Sequence, residues 1–249
     1  MPAEVIKLVH AMISLMHQSL HLLRRMFDRC SGREELGPPS CELDADAASA
    51  MIEDLLRSGR PAMVGRFGCT EMSCLHNYLE IGKAGRNPLD YITGRRDQWW
   101  WNKNIMRQMR EWSGFFPAAP EYLARFCELM LRDMMELDIL GSWLPYEREV
   151  MPMIRDVPRV RLLNLEPYWS SRPWSRALEG RKVLVVHPFA ESITLQYERN
   201  RERIFENPEV LPSFSLETLA AVQSLGAGPD RFADWFEALA WMEGEMDRR

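Results

Sequence analysis

Ala62-Met-Val-Gly-Arg-Phe-Gly-Cys-Thr-Glu71 decides the reading of this chain. A short apolar run leads into a turn punctuated by Gly65 and Gly68, which carries one arginine, Arg66, and one carboxylate, Glu71. A strand ending at Val64 or Gly65 places both charged groups near the carboxyl edge of a sheet, where open α/β folds bind ligands in the crevice their loops create. Arg66 can fork onto a phosphate, and Glu71 can hold a metal or a proton. The plainer reading is structural: two glycines let a strand turn into a helix, and Arg66 pairs with Glu71 on the surface.

A second, distant segment favours the functional reading. Val183 to Val186 predicts a strand buried on both faces, because parallel strands covered on both sides read as continuous apolar runs rather than alternating ones. His187-Pro188-Phe189 falls just past the strand end, and Glu191, Ser192, Gln196 and Tyr197 follow at the start of a predicted helix. Two polar strand ends in one chain predict a shared pocket.

Arg66-Phe67-Gly68-x-x-Glu71, taken with Leu-Val-Val-His187-Pro-Phe-x-x-Ser192-Ile-x-x-Gln196-Tyr197, resembles proteins of bacterial polysaccharide-biosynthesis clusters related to the GT-D type of glycosyltransferase fold. The resemblance runs from about Met63 to Trp241. In that family the first motif is Arg-Phe-Gly-Asp-Gly-Glu, whose acidic pair helps hold a divalent metal and the diphosphate of a nucleotide sugar. Here Cys69 and Thr70 stand where the family has aspartate and glycine. A hard cation wants oxygen ligands, and a thiol is a poor replacement for a carboxylate. What the resemblance implies is a nucleotide-sugar donor, a glycan or lipid-linked acceptor, and Mn²⁺ or Mg²⁺ held weakly by Glu71. The alternative is an Arg66 and helix amino terminus that neutralise the departing diphosphate without metal. Similar sequences continue past a helix like Asp230 to Met246 into a further strand, so a chain stopping at Arg249 implies a truncated sequence, a divergent ending or a strand supplied by a partner.

Glycosyl transfer needs a cationic place for the leaving diphosphate, a group that takes the acceptor's proton, and donors and acceptors for sugar hydroxyls. Arg66, Thr70 and the backbone near Gly68 are the candidates for the first. Glu71 leads for acid-base work, with His187, Glu147 and Glu166 behind it. His187 titrates near neutrality when unperturbed, although a histidine at a strand end can equally serve its own backbone. Trp143, Glu147, Glu166, Ser192, Gln196 and Tyr197 are the remaining candidate substrate contacts.

At 249 residues and 46% hydrophobic content the chain can bury one substantial core, so the expected organisation is an amphipathic helical appendage over 1–29, a linker over 30–41 and an α/β domain over 42–249. A net charge of −5 excludes a general nucleic-acid binder. The odd cysteine count, without a Cys-x-x-Cys pair, fits a reducing cytoplasm rather than a disulfide framework.

Ala3 to Asp28 predicts the clearest helix. Val5, Val9, Met12, Met16, Leu23 and Met26 form one stripe with Ile6, Ile13, Leu20 and Phe27 beside it, opposite a face of His10, Ser14, His17, His21 and Arg24 that reads as solvated. Lys7 and the histidines interrupt it too often for a membrane span. It docks on the domain, pairs with another copy as a homo-oligomer, or lies peripherally on a membrane through residues 3–28.

Further helices are predicted from Leu43 to Ser58, from Met72 to Leu79 with Cys74 and Leu75 inward, and from Pro120 to Leu137. A loop is predicted over Gly82 to Gly94. The Trp99-Trp100-Trp101 triplet, which cannot face one way, predicts core packing for at least one ring. Strands are predicted over Asp138 to Trp143, Val160 to Leu165, Lys182 to His187 and Glu209 to Phe214. Strands interleaved with helices predict a Rossmann-like, mostly parallel sheet. Two other functions compete with transfer: a non-catalytic nucleotide or phosphate binder that has lost an acidic ligand, and a membrane-adapter or assembly protein working through its amino-terminal helix.

Overall fold

The computed structural model describes residues 3–32, 37–224 and 231–249. Contacts divide the chain into two units, Met1–Leu36 with Leu75–Lys103, and Gly37–Cys74 with Asn104–Arg249. The fold is mixed α/β with parallel strands and an amino-terminal helix.

The second unit is built on helix α2 (Ala45–Arg57), which starts where Asp44 accepts the Ala47 amide at 2.7 Å. Ala48, Ile52 and Leu55, spaced to share one face, pack onto Ile139 and Val160. Burying a side chain such as Ile52 contributes about 1.5–3 kcal/mol. These contacts seat α2 on a three-stranded parallel sheet in the order β1 (Val64–Arg66), β2 (Ile139–Ser142), β3 (Arg159–Arg161). Glu42 extends the outer edge of β3 by a parallel bridge to Val160. Asp138 ties the entry to the sheet, accepting the Met63 amide and Arg60 at 2.9 Å each and Arg155 at 3.2 Å. Glu53, almost fully buried on α2, accepts Arg176 at 2.7 and 2.9 Å and so fastens the 3-10 turn Trp174–Leu178 to the helix.

The remaining strands do not join that sheet. β4 (Lys182–Val186) and β5 (Ser215–Leu219) pair in parallel as a separate two-stranded sheet, linked by helix α8 (Ala190–Ile204). The expected double-sided burial of Val183 to Val186 is not met: Val183 to Val185 are half-buried and Val186 is exposed. A continuous apolar run states a preference for burial, but the number of layers around it is set by segments elsewhere in the chain. The strand expected over Glu209 to Phe214 falls later. Pro208 opens a 3-10 turn, Pro208–Val210, and pairing begins only after Pro212, since proline cannot donate to a ladder. Leu162 to Leu165 tightens into a 3-10 turn instead of continuing β3.

Helices α5 (Lys103–Glu111), α6 (Pro120–Asp133), α7 (Glu147–Val150) and α9 (Trp235–Asp247) complete this unit. Phe115 and Phe126 meet Trp235 at ring separations of 5.4 and 5.8 Å, and Arg125 lies 3.8 Å over Phe236. Cys74, on helix α3 (Cys69–Gly82), and Cys127 are both fully buried with sulfurs 3.8 Å apart. The hydrogen bond between them and burial push the Cys127 thiol far up. Leu75 is buried beside Cys74, as its position on the helix predicts.

In the first unit, helix α1 (Ala3–Ser31) packs on α4 (Pro88–Ile92), a short helix capped by Asn87 inside the segment expected to be loop. Leu20 forms a small core with Tyr91 and Trp99. The contact surface reverses the expectation for α1. His17 stacks on Trp100 at 3.8 Å with planes 7° apart, His21 Nδ1 lies 2.6 Å from the Tyr91 hydroxyl, and Arg24 pairs with Asp97 at 2.6 Å. The face read as solvated does the docking. Burial, then neighbouring cations, lowers His17 and His21 below the ordinary imidazole value, so neutral His21 can accept the tyrosine proton. Burial alone would raise the Asp97 carboxyl, but His76 and Arg24 outweigh it and hold the group at about 2. Among the described residues no helix is long and apolar enough to cross a membrane.

Candidate functional site

The three parallel strands bring their carboxyl ends to one edge. Arg66 lies across from Gly141, Gly141 from Val160, and Ser142 from Arg161, so Arg66 and Arg161 end the strands on either side of β2, both exposed, and the one-residue offset puts them on opposite faces of the sheet. Gly141 is a glycine for a steric reason, since a Cβ there would meet Leu165 Cδ1 at 2.4 Å.

Between β1 and α3 the chain turns on Gly68, whose carbonyl accepts the Met72 amide at 2.9 Å and starts the helix. The first amides of a helix have no partner within it and carry its positive end. Glu71 folds back over this turn, so closely that a Cβ on Gly68 would sit 1.9 Å from its Oε2. The pairing of Arg66 with Glu71 suggested by the structural reading is not formed, and Arg66 has no ion pair among the described residues. Thr70 stands in the same first turn and Cys69 is exposed at its start.

From β2, Glu147 is completely buried, and its carboxylate accepts the Ser142 hydroxyl and the amides of Trp143 and Leu144, the last two at 2.9 Å. Enclosed and occupied by three donors of its own turn, it is a brace for the loop rather than a substrate contact. Trp143 is part exposed and donates its indole N–H to the Phe67 carbonyl at 2.9 Å, locking the β2 loop to the β1 loop.

After β3, Glu166 Oε2 accepts the Tyr168 hydroxyl and, at 3.0 Å, the Trp169 indole N–H. The bond to Glu166 raises the Tyr168 phenol. The rings of Tyr168 and Trp169 lie 5.1 Å apart, Phe205 stacks 6.0 Å beyond Tyr168, and both leading rings are about half exposed. The carboxylate thus holds two rings on the surface, tilted 47° to each other, and an exposed ring of this kind can stack on a flat-faced polar ligand. Arg161, Tyr168 and Trp169 were not marked as site residues by the sequence, although Glu166-Pro-Tyr-Trp169 directly after a predicted strand was the available signal.

His187 ends β4, in the other sheet, where its Nδ1 accepts the Phe189 amide at 3.1 Å in the backbone role its position allows. Gln196 accepts from Asn200 at 2.7 Å and Ser192 is exposed. The Tyr197 hydroxyl accepts the Phe214 amide at 2.7 Å and lies 3.0 Å from the Phe214 carbonyl, pinning α8 to the segment before β5. Tyr197 is therefore a fastening, not a free binding group. The structure places Arg66, Gly68, Thr70 and Glu71 at the end of β1 and its loop, Trp143 and Glu147 after β2 and joined to that loop through Phe67, Glu166 beyond the 3-10 turn that follows β3, and His187, Ser192, Gln196 and Tyr197 on β4–α8.

Cavities among the described residues away from this edge include a groove of 720 Å³ between α6 and α9, a hollow of 740 Å³ around Cys41 and Val157, and a cleft of 230 Å³ between Trp112 and Met242. The donor set at the edge does not fit a divalent cation held by protein groups: Glu71 is the one carboxylate on the β1 loop, Glu147 is fully engaged, and Cys69 offers a soft thiol. Among the described residues no group of three or more His, Cys, Asp or Glu side chains has metal-binding geometry. Comparison of the chain with protein-family models, curated proteins and solved structures finds no match.

Proposed function

We propose that the chain is a glycosyltransferase-like enzyme that takes a sugar from a nucleotide diphosphate and passes it to a glycan or lipid-linked acceptor. The observation that carries this reading is the exposed Arg66 at the carboxyl end of β1, directly before the amino terminus of α3, in a motif resembling that of the family. Arg66 and the first amides of α3 are suited to an anionic diphosphate. The Tyr168 and Trp169 rings and the outer oxygen of Glu166 are suited to a sugar ring.

In transfer, the acceptor oxygen bonds to the anomeric carbon as the bond from that carbon to the phosphate oxygen breaks. The electron pair leaves with the diphosphate, where positive groups aimed at the developing charge lower the barrier. The acceptor's proton goes to Glu71, the carboxylate nearest the turn. A Rossmann-like relation between the two sheets belongs to this reading and rests on the resemblance.

Thermal unfolding with UDP, GDP, CMP and dTDP sugars, each with and without Mn²⁺, tests it. A ligand at 100 times its dissociation constant stabilises by about 2.7 kcal/mol. A shift selective for one nucleotide and lost in Arg66→Ala supports the reading; no shift with any donor sinks it. Cys69 in place of aspartate favours a second reading, a binder without catalysis, and gain of metal-dependent transfer in Cys69→Asp with Thr70→Gly would mark the chain as that binder.

A further inference from the structure

Helix α1 docks through its histidine face on the described residues of its own unit, which leave its apolar face uncovered. Val5, Val9, Met12, Met16, Leu23 and Met26 are all exposed, at 42–64% of their full area. Their spacing alternates four and three residues, with Ser19 completing the series, and so defines the a and d positions of a heptad for more than three repeats. Leu8, Leu15 and Leu22 repeat every seventh residue on one flank and are 55–65% exposed. Ile6, Ile13 and Phe27 repeat on the other, and only Leu20 of that row is buried, against Tyr91 and Trp99.

The period distinguishes between covers. An ideal helix drifts by about 20° per heptad against a strict seven-residue repeat, so a sequence that keeps the strict repeat is matched to another helix rather than to a plane. A stripe of a and d with both flanks apolar is the width that bundle helices bury. Twelve large side chains at this exposure offer roughly 1,000 Å² per protomer, above the ~800 Å² a partner contributes to a standard interface. A lipid surface is the poorer match. His17, His21 and Arg24 on the polar side are already engaged within the chain, which leaves Lys7, Arg25 and Arg29 as the basic groups of a helix that carries no tryptophan. Interfacial helices instead keep a basic polar face and aromatic anchors.

We infer that α1 is a self-association element, its Val5–Phe27 apolar face covered by α1 of at least one further copy of this chain. The histidine face then serves to orient the helix so that the seam points away from its own unit.

Light scattering and sedimentation of the full-length protein at tens of micromolar test this, on wild type and on Met16→Glu with Leu23→Glu. Wild type is expected at a whole multiple of the single-chain mass. The double variant is expected at the mass of one chain with unchanged helical circular dichroism. Gln18→Glu, exposed but off the stripe, stays assembled. If the double variant fails to fold, Leu15→Gln with Leu22→Gln replaces it, with partial dissociation expected. A monomeric wild type overturns the inference, as does assembly that survives the stripe substitutions. A monomer that floats with phosphatidylcholine–phosphatidylglycerol vesicles, and ceases to in the double variant, overturns it in favour of a lipid surface.

Discussion

Replacing Glu147 tests whether a buried carboxylate holds the candidate edge together. It is wholly enclosed and serves three donors, the Ser142 hydroxyl and the amides of Trp143 and Leu144. Hydrogen bonds to a charged acceptor contribute about 1.5–3 kcal/mol each, and an abandoned buried donor costs about 1–3 kcal/mol. The three share one carboxylate and are not additive, and the Ser142 hydroxyl can rotate to another partner. A net loss of about 3–4 kcal/mol is therefore expected for Glu147→Ala, a large part of the 5–15 kcal/mol typical of a domain. Glu147→Gln keeps the volume and one carbonyl oxygen, which can still receive both amides, while its new NH₂ donates to Ser142 Oγ; about 1 kcal/mol is expected there. Urea unfolding followed by tryptophan fluorescence measures both, with the m-value unchanged if only stability moves. An alanine variant within about 0.5 kcal/mol of wild type, or a glutamine variant as costly as alanine, would refute the brace.

Gly141→Ala drives a methyl into Leu165 at 2.4 Å, and about 1–3 kcal/mol of destabilisation is expected by urea titration. Arg176, then Arg57, holds the Glu53 carboxyl below its ordinary value against the opposing effect of burial. Its contribution is complete above about pH 4.3 and is lost as pH falls through the lowered folded value, so Glu53→Gln should flatten the acid limb of a stability–pH curve, and an unchanged limb would contradict this. His17 and His21 are lowered by burial, so the folded unit binds fewer protons than the unfolded chain. Docking of α1 is then at full strength above about pH 6.5 and weakens as pH falls through the lowered values. Protection factors of the α1 amides, with rates corrected for the pH dependence of intrinsic exchange, are expected to be lower at about pH 5.5 than at about pH 7.5, and equal protection would remove the histidines from the contact.

Much of the local architecture was legible because its causes are local. The segments Leu43 to Ser58 and Pro120 to Leu137 announced α2 and α6, and the glycines around Arg66 announced the β1–α3 turn. Three adjacent rings that cannot share a face required at least one to pack inward, and the structure buries Trp99. The roles of Glu147 and Tyr197 were not legible, because a carboxylate or phenol near a strand end reads the same whether its partners are a ligand or its own backbone. Nor was the pairing of Tyr168 and Trp169, which exists only because Glu166 turns back to hold both rings.

Alone, the sequence determined the longer helices α1, α2, α3 and α6, the mixture of helices with parallel strands, and the turn after β1 that carries Arg66, since periodicity and turn chemistry act over a few residues; the short helix α4 inside an expected loop escaped it. The tertiary structure alone decided which face of α1 docks, that β4 and β5 pair apart from β1, β2 and β3, and that Arg66 and Arg161 end the strands on either side of β2. Those outcomes depend on which distant segments compete for the same surface. On α1 the stacking of His17 on Trp100 and the bond between His21 and Tyr91 prevailed over a wider apolar face, because directional partners were present on one side.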